Sequence, residues 1–372
     1  MQKAIDVGTL HVSQKHIDKV VEALKSNRLS YGPMTAEFED KFSKLHNNQY
    51  GVFTNSGTSA LQAAIHALKI MGKWKDGDEI IIPSVTFVAT YNVVIHNNLT
   101  PVIVDIGKDI NLNPDLIEAA ITPKTRAIMP VHLLGKPAKM MEIMAIARKH
   151  KLKVIEDSCE TMFVDGIGLG DVTCFSFYIA HLLITGVGGM ACTSDQKLAE
   201  LIRSLIFHGR DNKYLKIDDD DKYNPEVIGA RFKFNYPGYS SRGTEMEAAL
   251  GLVELENWQD MLSKRQENAR YLSKQLGNHH PDSYLENHAF MMFPFFHLKR
   301  NELMLYLEQK GITTRTIMPL INQPYIKVNN RNYPEALRIN RYGLLFGCHQ
   351  GLTKADLDYI VNSIEEFNDK TI

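Results

Sequence analysis

Residues 173–193 read Thr-Cys-Phe-Ser-Phe-Tyr-Ile-Ala-His-Leu-Leu-Ile-Thr-Gly-Val-Gly-Gly-Met-Ala-Cys-Thr. A β-branched and aromatic run ends at Tyr178, a turn with glycines follows, and a second apolar run begins after Gly188-Gly189. This pattern predicts strand, turn, strand. His181 lies in the turn, where an imidazole can move protons near neutral pH; an inert polar turn residue would read the same way. Asn55-Ser56-Gly57-Thr58 sits between a short strand (Tyr50–Thr54) and a helix. Gly57 and Thr58 would there offer N–H groups and a hydroxyl to an anion at a helix N-terminus, although Ser-Gly-Thr is also an ordinary cap. Ser176 would add a second hydroxyl from its strand, or bond to backbone. Asp157 ends the apolar strand Lys153–Asp157, at the edge where parallel sheets bind ligands; a loop-capping role is the alternative. Phe87 offers an aromatic face for a ring to stack on, or fills the core.

The elements that must position these residues alternate regularly. A helix is expected over 11–27 and a second through Phe38 and Phe42, separated by Ser30-Tyr31-Gly32-Pro33. Helices at 58–72, around 91–97 and at 137–150 interleave with strands at 79–83, 101–105, 126–131 and 153–157. Apolar strands alternating with helices predict a mostly parallel sheet covered on both faces. The stretch 211–236, with Asp218–Asp221, reads as a solvated loop. A helix over 244–275 links into a smaller α+β region: strands near 289–297 and 312–317, helices at 300–310 and 354–367. The expected organisation is a large α/β domain, 1–255, and a small C-terminal domain, 256–372.

At 372 residues, two domains are the natural expectation. Lys plus Arg total 42 against 43 Asp plus Glu, a formal net charge of -1, which gives no support to a nucleic-acid or membrane-surface role. No apolar run is long enough for a membrane span, and the N-terminus lacks a signal-like apolar core. Cys159, Cys174, Cys192 and Cys348 form no C-x-x-C pair, which fits a reduced cytoplasmic protein and offers no zinc or iron–sulfur spacing. The adjacent His279-His280 in a polar loop is not a metal box either.

Taken together, the order and spacing of these segments resemble the pyridoxal-phosphate-dependent nucleotide-sugar aminotransferases of the DegT type along nearly the whole chain. The resemblance rests on Asn27–Pro33, Asn55–Leu61, Phe87, Asp157, Ser176-Phe-Tyr-x-x-His181 with Gly188-Gly189, Phe207-His-Gly209, and Pro237–Arg242 followed by Glu245. It implies a type I aminotransferase fold and a homodimer with shared active sites. It also implies cofactor contacts from Ser56, Gly57, Thr58, Phe87, Asp157, Glu160, Ser176 and Ser240. Asp157 would pair with the protonated ring nitrogen and keep the ring an electron sink.

His181 stands where the family carries the lysine that holds the cofactor covalently. Imidazole forms no such bond, so the cofactor would be held non-covalently, as pyridoxamine 5'-phosphate (PMP) cycling with pyridoxal 5'-phosphate. This replacement marks the branch of PMP-dependent sugar 3-dehydratases. His132–Pro137, Glu156–Glu160, Phe232–Phe234 and Leu345–Gln350 look closest to its GDP-4-keto-6-deoxymannose type, which has no iron–sulfur cluster. Glu160 stands where the aminotransferases usually have His or Gln. The resemblance therefore implies C3 deoxygenation of a nucleotide-linked 4-keto-6-deoxyhexose, with L-glutamate as cosubstrate regenerating PMP, and His181 and Asp157 as catalytic residues. Tyr31, Pro33, Arg242, Arg315 and His349 are the candidate substrate residues. The two arginines would grip a carboxylate or diphosphate through the guanidinium fork, or form surface ion pairs. Two positions depart from the family pattern: Ser240 replaces an Asn that contacts the partner's phosphate, and Val187 replaces an acidic residue. An ordinary transaminase and a catalytically silent nucleotide-sugar-binding homologue are the competing readings.

Overall fold

The protein is described by a computed structural model covering residues 4–9, 11–210, 225–230, 232–277, 285–317 and 320–371. Asp218–Asp221 and His279-His280 lie outside the described residues. In chain order the first elements are α1 (Gln14–Lys25), α2 (Pro33–Leu45), β1 (Tyr50–Thr54), α3 (Gly57–Gly72), β2 (Glu79–Pro83), α4 (Val88–His96), β3 (Thr100–Val104), β4 (Thr125–Ile128), α5 (Met140–His150) and β5 (Lys153–Asp157). Then come β6 (Val172–Ser176), β7 (Gly189–Thr193), α6 (Gln196–Ile206), α7 (Pro225–Ala230), α8 (Glu245–Glu254) and α9 (Trp258–Leu276). The chain closes with β8 (Phe293–Phe296), α10 (Arg300–Gln309), β9 (Thr314–Thr316), α11 (Pro334–Tyr342), β10 (Gly343–Phe346) and α12 (Lys354–Thr371).

Seven strands form one sheet in the order β1-β7-β6-β5-β4-β2-β3. The run from β6 through β3 is parallel; β7 is antiparallel to both β6 and β1. Two reversals restore direction, so β1 runs with β5 and β6. Thr54, Asp157 and Ser176 consequently emerge at one edge of the sheet, beside the starts of α3 and α4. The strand interiors are mostly apolar because helices cover both faces: every residue of β6 and β7 is buried. The Ala-rich inner face of α3 (Ala60, Ala63, Ala64, Ala67) packs into the same core as Val172 and Ala191, and small side chains let the helix approach the strands closely.

The second sheet, β8-β10-β9, is antiparallel. Phe293, Phe295, Leu344 and Phe346 pack there with Leu272 of α9, in a core separate from that of α3.

Several expected elements differ. The single helix over 244–275 is two helices, α8 and α9, broken at Leu255–Asn257. Asn257 leaves helical geometry at φ -118° and ψ 15° and starts the second helix. The polar stretch 211–236 includes α7. Helix α6 was not anticipated, although Asp195 caps it through N–H bonds from Lys197 and Leu198. Helix α11 and strand β10 were also unread. Their apolar content is short and gives no clear period.

Candidate functional site

The strand edge gathers the predicted anion and ring residues. Ser56 is extended (φ -167°, ψ 159°) and caps α3, its Oγ accepting from Ser59 N–H at 3.1 Å. Its side chain thus caps the helix. Gly57 and Thr58, the first helical residues, still have N–H groups with no intrahelical acceptor, and Thr58 is exposed. Gly57 is required by space: a Cβ there would stand 2.7 Å from both Cys159 Sγ and Ser176 Cβ. Gly189, paired with both Thr54 and Ser176, is equally confined, since its Cβ would meet Ser56 carbonyl atoms at 2.4 Å. Two glycines thus let the helix start and the strand ends converge without side chains between them.

Asp157, 4% exposed, has its Oδ2 held by Thr90 Oγ1 at 2.7 Å. Its Oδ1 receives a long bond from Cys159 N–H, 3.3 Å, and the Cys159 thiol also bonds the carboxylate. Phe87 is the N-cap residue of α4 and is 58% exposed, an unusual state for a phenyl ring and one that leaves a face open. Glu160 is buried and accepts from Leu134 N–H at 2.7 Å. Burial, with the nearby Asp157 charge adding to it, pushes its carboxyl up to about 8 despite that hydrogen bond. Glu160 is therefore largely protonated at neutral pH. Desolvation also raises the Cys159 thiol well above its ordinary range, so it is not a thiolate nucleophile.

His181 follows β6 in a turn closed by its own N–H to Tyr178 O, 2.9 Å. Its Nδ1 stands 3.2 Å from Ser176 O. A carbonyl only accepts, so Nδ1 carries the proton and Nε2 keeps its lone pair. Burial lowers the imidazole to about 4, with the buried Arg265 guanidinium adding to the fall and the Ser176 bond opposing it. The ring is neutral at physiological pH, as a proton acceptor must be. Val187 is exposed, its carbonyl taking Thr185 Oγ1 at 2.6 Å.

A second group adjoins this one. Arg242 bridges Thr54, and Asn55 N–H donates to Ser241 O at 2.8 Å. The Arg242 guanidinium lies 4.8 Å over the Phe207 ring and donates to Ser240 Oγ at 3.2 Å. Desolvation and Arg210 lower its pKa. Tyr31 meets the far side of this group, edge-on to Phe207 at 6.2 Å.

The other candidate substrate residues have partners of their own. Tyr31 OH donates to Glu39 at 3.1 Å, and its ring lies under Arg203 at 4.9 Å, within the bidentate Arg203–Glu39 pair. Its hydroxyl is thereby tethered to that ion pair. Arg315 is exposed on β9 and bonds Thr314 O. His349 is buried with Nε2 on Asp6 O at 3.1 Å. No contact brings either to the Asp157 edge, since both belong to the small-sheet region. Pro33 starts α2 and is exposed.

Sequence reasoning missed several supports. The spacing of Thr90 from Asp157 carries no local signal. The buried His132–Glu156 pair, 2.8 Å, fixes the loop after β5: Glu156 also accepts from Gly168 and Leu169 N–H, and Thr161 Oγ1 bonds His132 O. Among the described residues no three His, Cys, Asp or Glu side chains converge as a metal site would, and no helix is long and apolar enough to cross a membrane.

The glycine-lined cradle, the Asp157 carboxylate at the strand edge and the open face of Phe87 fit a phosphorylated pyridine ring. Comparison with known proteins agrees. GDP-perosamine synthase of Caulobacter vibrioides is 32% identical, over 97% of this chain and 98% of its own. A dTDP-4-dehydro-2,6-dideoxy-D-glucose 3-dehydratase of Saccharopolyspora spinosa is 30% identical, over 94% of this chain and 83% of its own. The structure of E. coli GDP-4-keto-6-deoxy-D-mannose-3-dehydratase with bound hydrated PLP superposes with a TM-score of 0.87 at 24% identity, covering 96% and 98% of the two chains, which establishes the type I aminotransferase fold. The model of the DegT/DnrJ/EryC1/StrS aminotransferase family matches residues 11–365, and the chain belongs to that family, whose cofactor is pyridoxal or pyridoxamine 5'-phosphate.

Proposed function

We propose that this chain is a PMP-dependent 3-dehydratase of a nucleotide-linked 4-keto-6-deoxyhexose, GDP-4-keto-6-deoxymannose being the first candidate. The observation that carries the reading is His181 in the turn between β6 and β7, in a site whose other cofactor residues are present. When bound, the cofactor would supply a primary amine for the 4-keto group and a ring able to take up an electron pair.

The chain's own residues do the rest. Ser56, Gly57, Thr58 and Ser176 receive the phosphate, and Phe87 covers one ring face. Asp157 holds the ring nitrogen protonated with the oxygen that Thr90 leaves free. Glu160, neutral by burial, offers an O–H donor. His181 accepts a proton at Nε2 while Ser176 O fixes Nδ1, and returns it to the departing 3-hydroxyl. Its low basicity favours giving the proton up again. Ser240 and Arg242 face a second subunit in a homodimer with shared sites, and Arg242 takes the nucleotide diphosphate. L-Glutamate restores the amine form. The setting is cytoplasmic deoxysugar supply for O-antigen or related glycans.

A second reading, a nucleotide-sugar aminotransferase, is favoured by the 32% identity to a GDP-perosamine synthase. Mass spectrometry of the product formed from PMP, L-glutamate and GDP-4-keto-6-deoxymannose separates the two. A sugar lacking one oxygen, with 2-oxoglutarate, supports the dehydratase. A sugar with an amine in place of its carbonyl selects the transaminase. No product, with CDP and dTDP analogues also tried, selects a silent binding homologue.

A further inference from the structure

His181 is flanked on both sides by contacts from outside its own loop. Upstream, Gly8 of the extended amino-terminal arm lies against Ile179 and Ala180: a Cβ on Gly8 would stand 3.2 Å from Ala180 Cα and 3.5 Å from the Ile179 and Ala180 carbonyl oxygens. Downstream, the Ile184 N–H donates to the Glu254 carboxylate, which also meets His16 Nε2 of α1 at 2.9 Å. Both contacts lead back to the amino-terminal region, Gly8 directly and His16 through Glu254 of α8.

That segment is itself fixed at the far end. Ile5 N–H donates to Gly311 O and its carbonyl accepts from Thr313 N–H, both at 2.9 Å. Asp6 takes Thr313 Oγ1 at 3.1 Å and His349 Nε2 at 3.1 Å. Gly347 and Gly351 pack so tightly on it that their Cβ atoms would stand 2.3 Å from Asp6 O and 2.7 Å from Thr9 Cγ2. The arm is thus a strap between the 347–351 segment and the residues beside His181.

We propose that the amino-terminal arm positions His181, through Gly8 on Ala180 and through the His16–Glu254–Ile184 chain. Gly8 and Glu254 are positioning residues, since neither reaches the Asp157 edge. The inference rests on His181 being the proton-moving group, but its test does not. Hydrogen–deuterium exchange over 177–188, and the rate of His181 carbethoxylation read by mass spectrometry, need neither cofactor nor substrate. Gly8→Val and Glu254→Leu are expected to raise exchange at Ile184 and Thr185 about tenfold, as expected for a loop that opens locally, and to speed His181 modification. Glu254→Gln keeps an acceptor for Ile184 and retains most of the protection. In the holoenzyme both disruptive variants lower kcat about a hundredfold with KM little changed, the scale of a 1 Å misplacement. Variants that melt as the wild type does and leave exchange and modification unchanged overturn the proposal. A wild type without dehydratase activity, whose loop still opens in these variants, sinks the function and leaves the strap standing.

Discussion

Thr90 Oγ1 donates a 2.7 Å hydrogen bond to Asp157 Oδ2, and Thr86 Oγ1 stands 2.7 Å from the same threonine hydroxyl. The start of α4 therefore does two things at once. It presents Phe87 to a ring face and holds one oxygen of the carboxylate that would meet the ring nitrogen. Thr90→Val keeps the shape and removes the donor. PMP affinity should fall at least about tenfold, the lower range for a hydrogen bond to a charged group. An absorbance titration with PMP that gives an unchanged Kd would reduce Thr90 to packing.

Gly57→Ala tests the cradle. The new methyl meets Cys159 Sγ and Ser176 Cβ at 2.7 Å, so either α3 or β6 must shift. Destabilisation of about 1–3 kcal/mol is expected from overpacking, with phosphate-dependent cofactor binding weakened further. Pyridoxamine without phosphate should lose little affinity in the variant. Equal losses for both forms would place the phosphate elsewhere.

Substitution at His181 separates binding from proton transfer. His181→Asn should retain PMP and lose about 10²–10⁴-fold in kcat. His181→Lys should bond pyridoxal phosphate covalently, seen as a mass increase after borohydride reduction. An Asn variant with full turnover would remove His181 from the chemistry.

Glu160 makes stability fall as pH rises from 4.5 to about 8. Its folded pKa, about 8, lies above the ordinary carboxyl value of 4.5. Its contribution is fully present below 4.5 and is lost as pH rises through about 8, because only the unfolded chain releases the proton in that window. Urea unfolding at pH 6 and pH 8.5, both approximate choices within reach of that window, should show a loss in the wild type that Glu160→Gln largely removes. Parallel curves for the two proteins would contradict the buried neutral acid.

His46 acts at the other end of the scale. Its ring is 1% exposed, accepts from Phe163 N–H at 3.2 Å, stands 2.9 Å from Phe42 O, and packs between Phe42, Phe163 and Phe175. Burial lowers it to about 4 from 6.5. Its contribution is present above 6.5 and is lost as pH falls toward 4, since the unfolded chain takes up the proton first. A loss of about 3 kcal/mol across that window follows from the shift. Denaturation of His46→Asn over the same range should be flatter, and an equally steep curve would assign the acid sensitivity to other groups.

Much of the site was readable because its members are local. Ser56-Gly57-Thr58 is a cap by its own residue types, and the run ending at Asp157 declares a buried strand with a carboxylate at its end. Thr90 and Leu134 were not readable as partners of Asp157 and Glu160. Nothing in a threonine or in a backbone N–H announces which distant carboxylate it will meet. The partners of Tyr31 and His349 were unreadable for the same reason: Glu39 and the arm residue Asp6 meet them through contacts that only the folded chain makes.

The sequence by itself determined the alternation of strand and helix, the residue types at each strand end, and the histidine in place of a lysine. These follow from periodicity and side-chain chemistry, which need no knowledge of neighbours. Tertiary structure decided the protonation and the bearing of those groups. Burial makes Glu160 an acid and His181 a neutral base, the Ser176 carbonyl selects the His181 tautomer, and Gly8 and Glu254 meet its loop on either side. Each of these depends on desolvation or on contact between segments remote in sequence, and neither exists until the chain has folded.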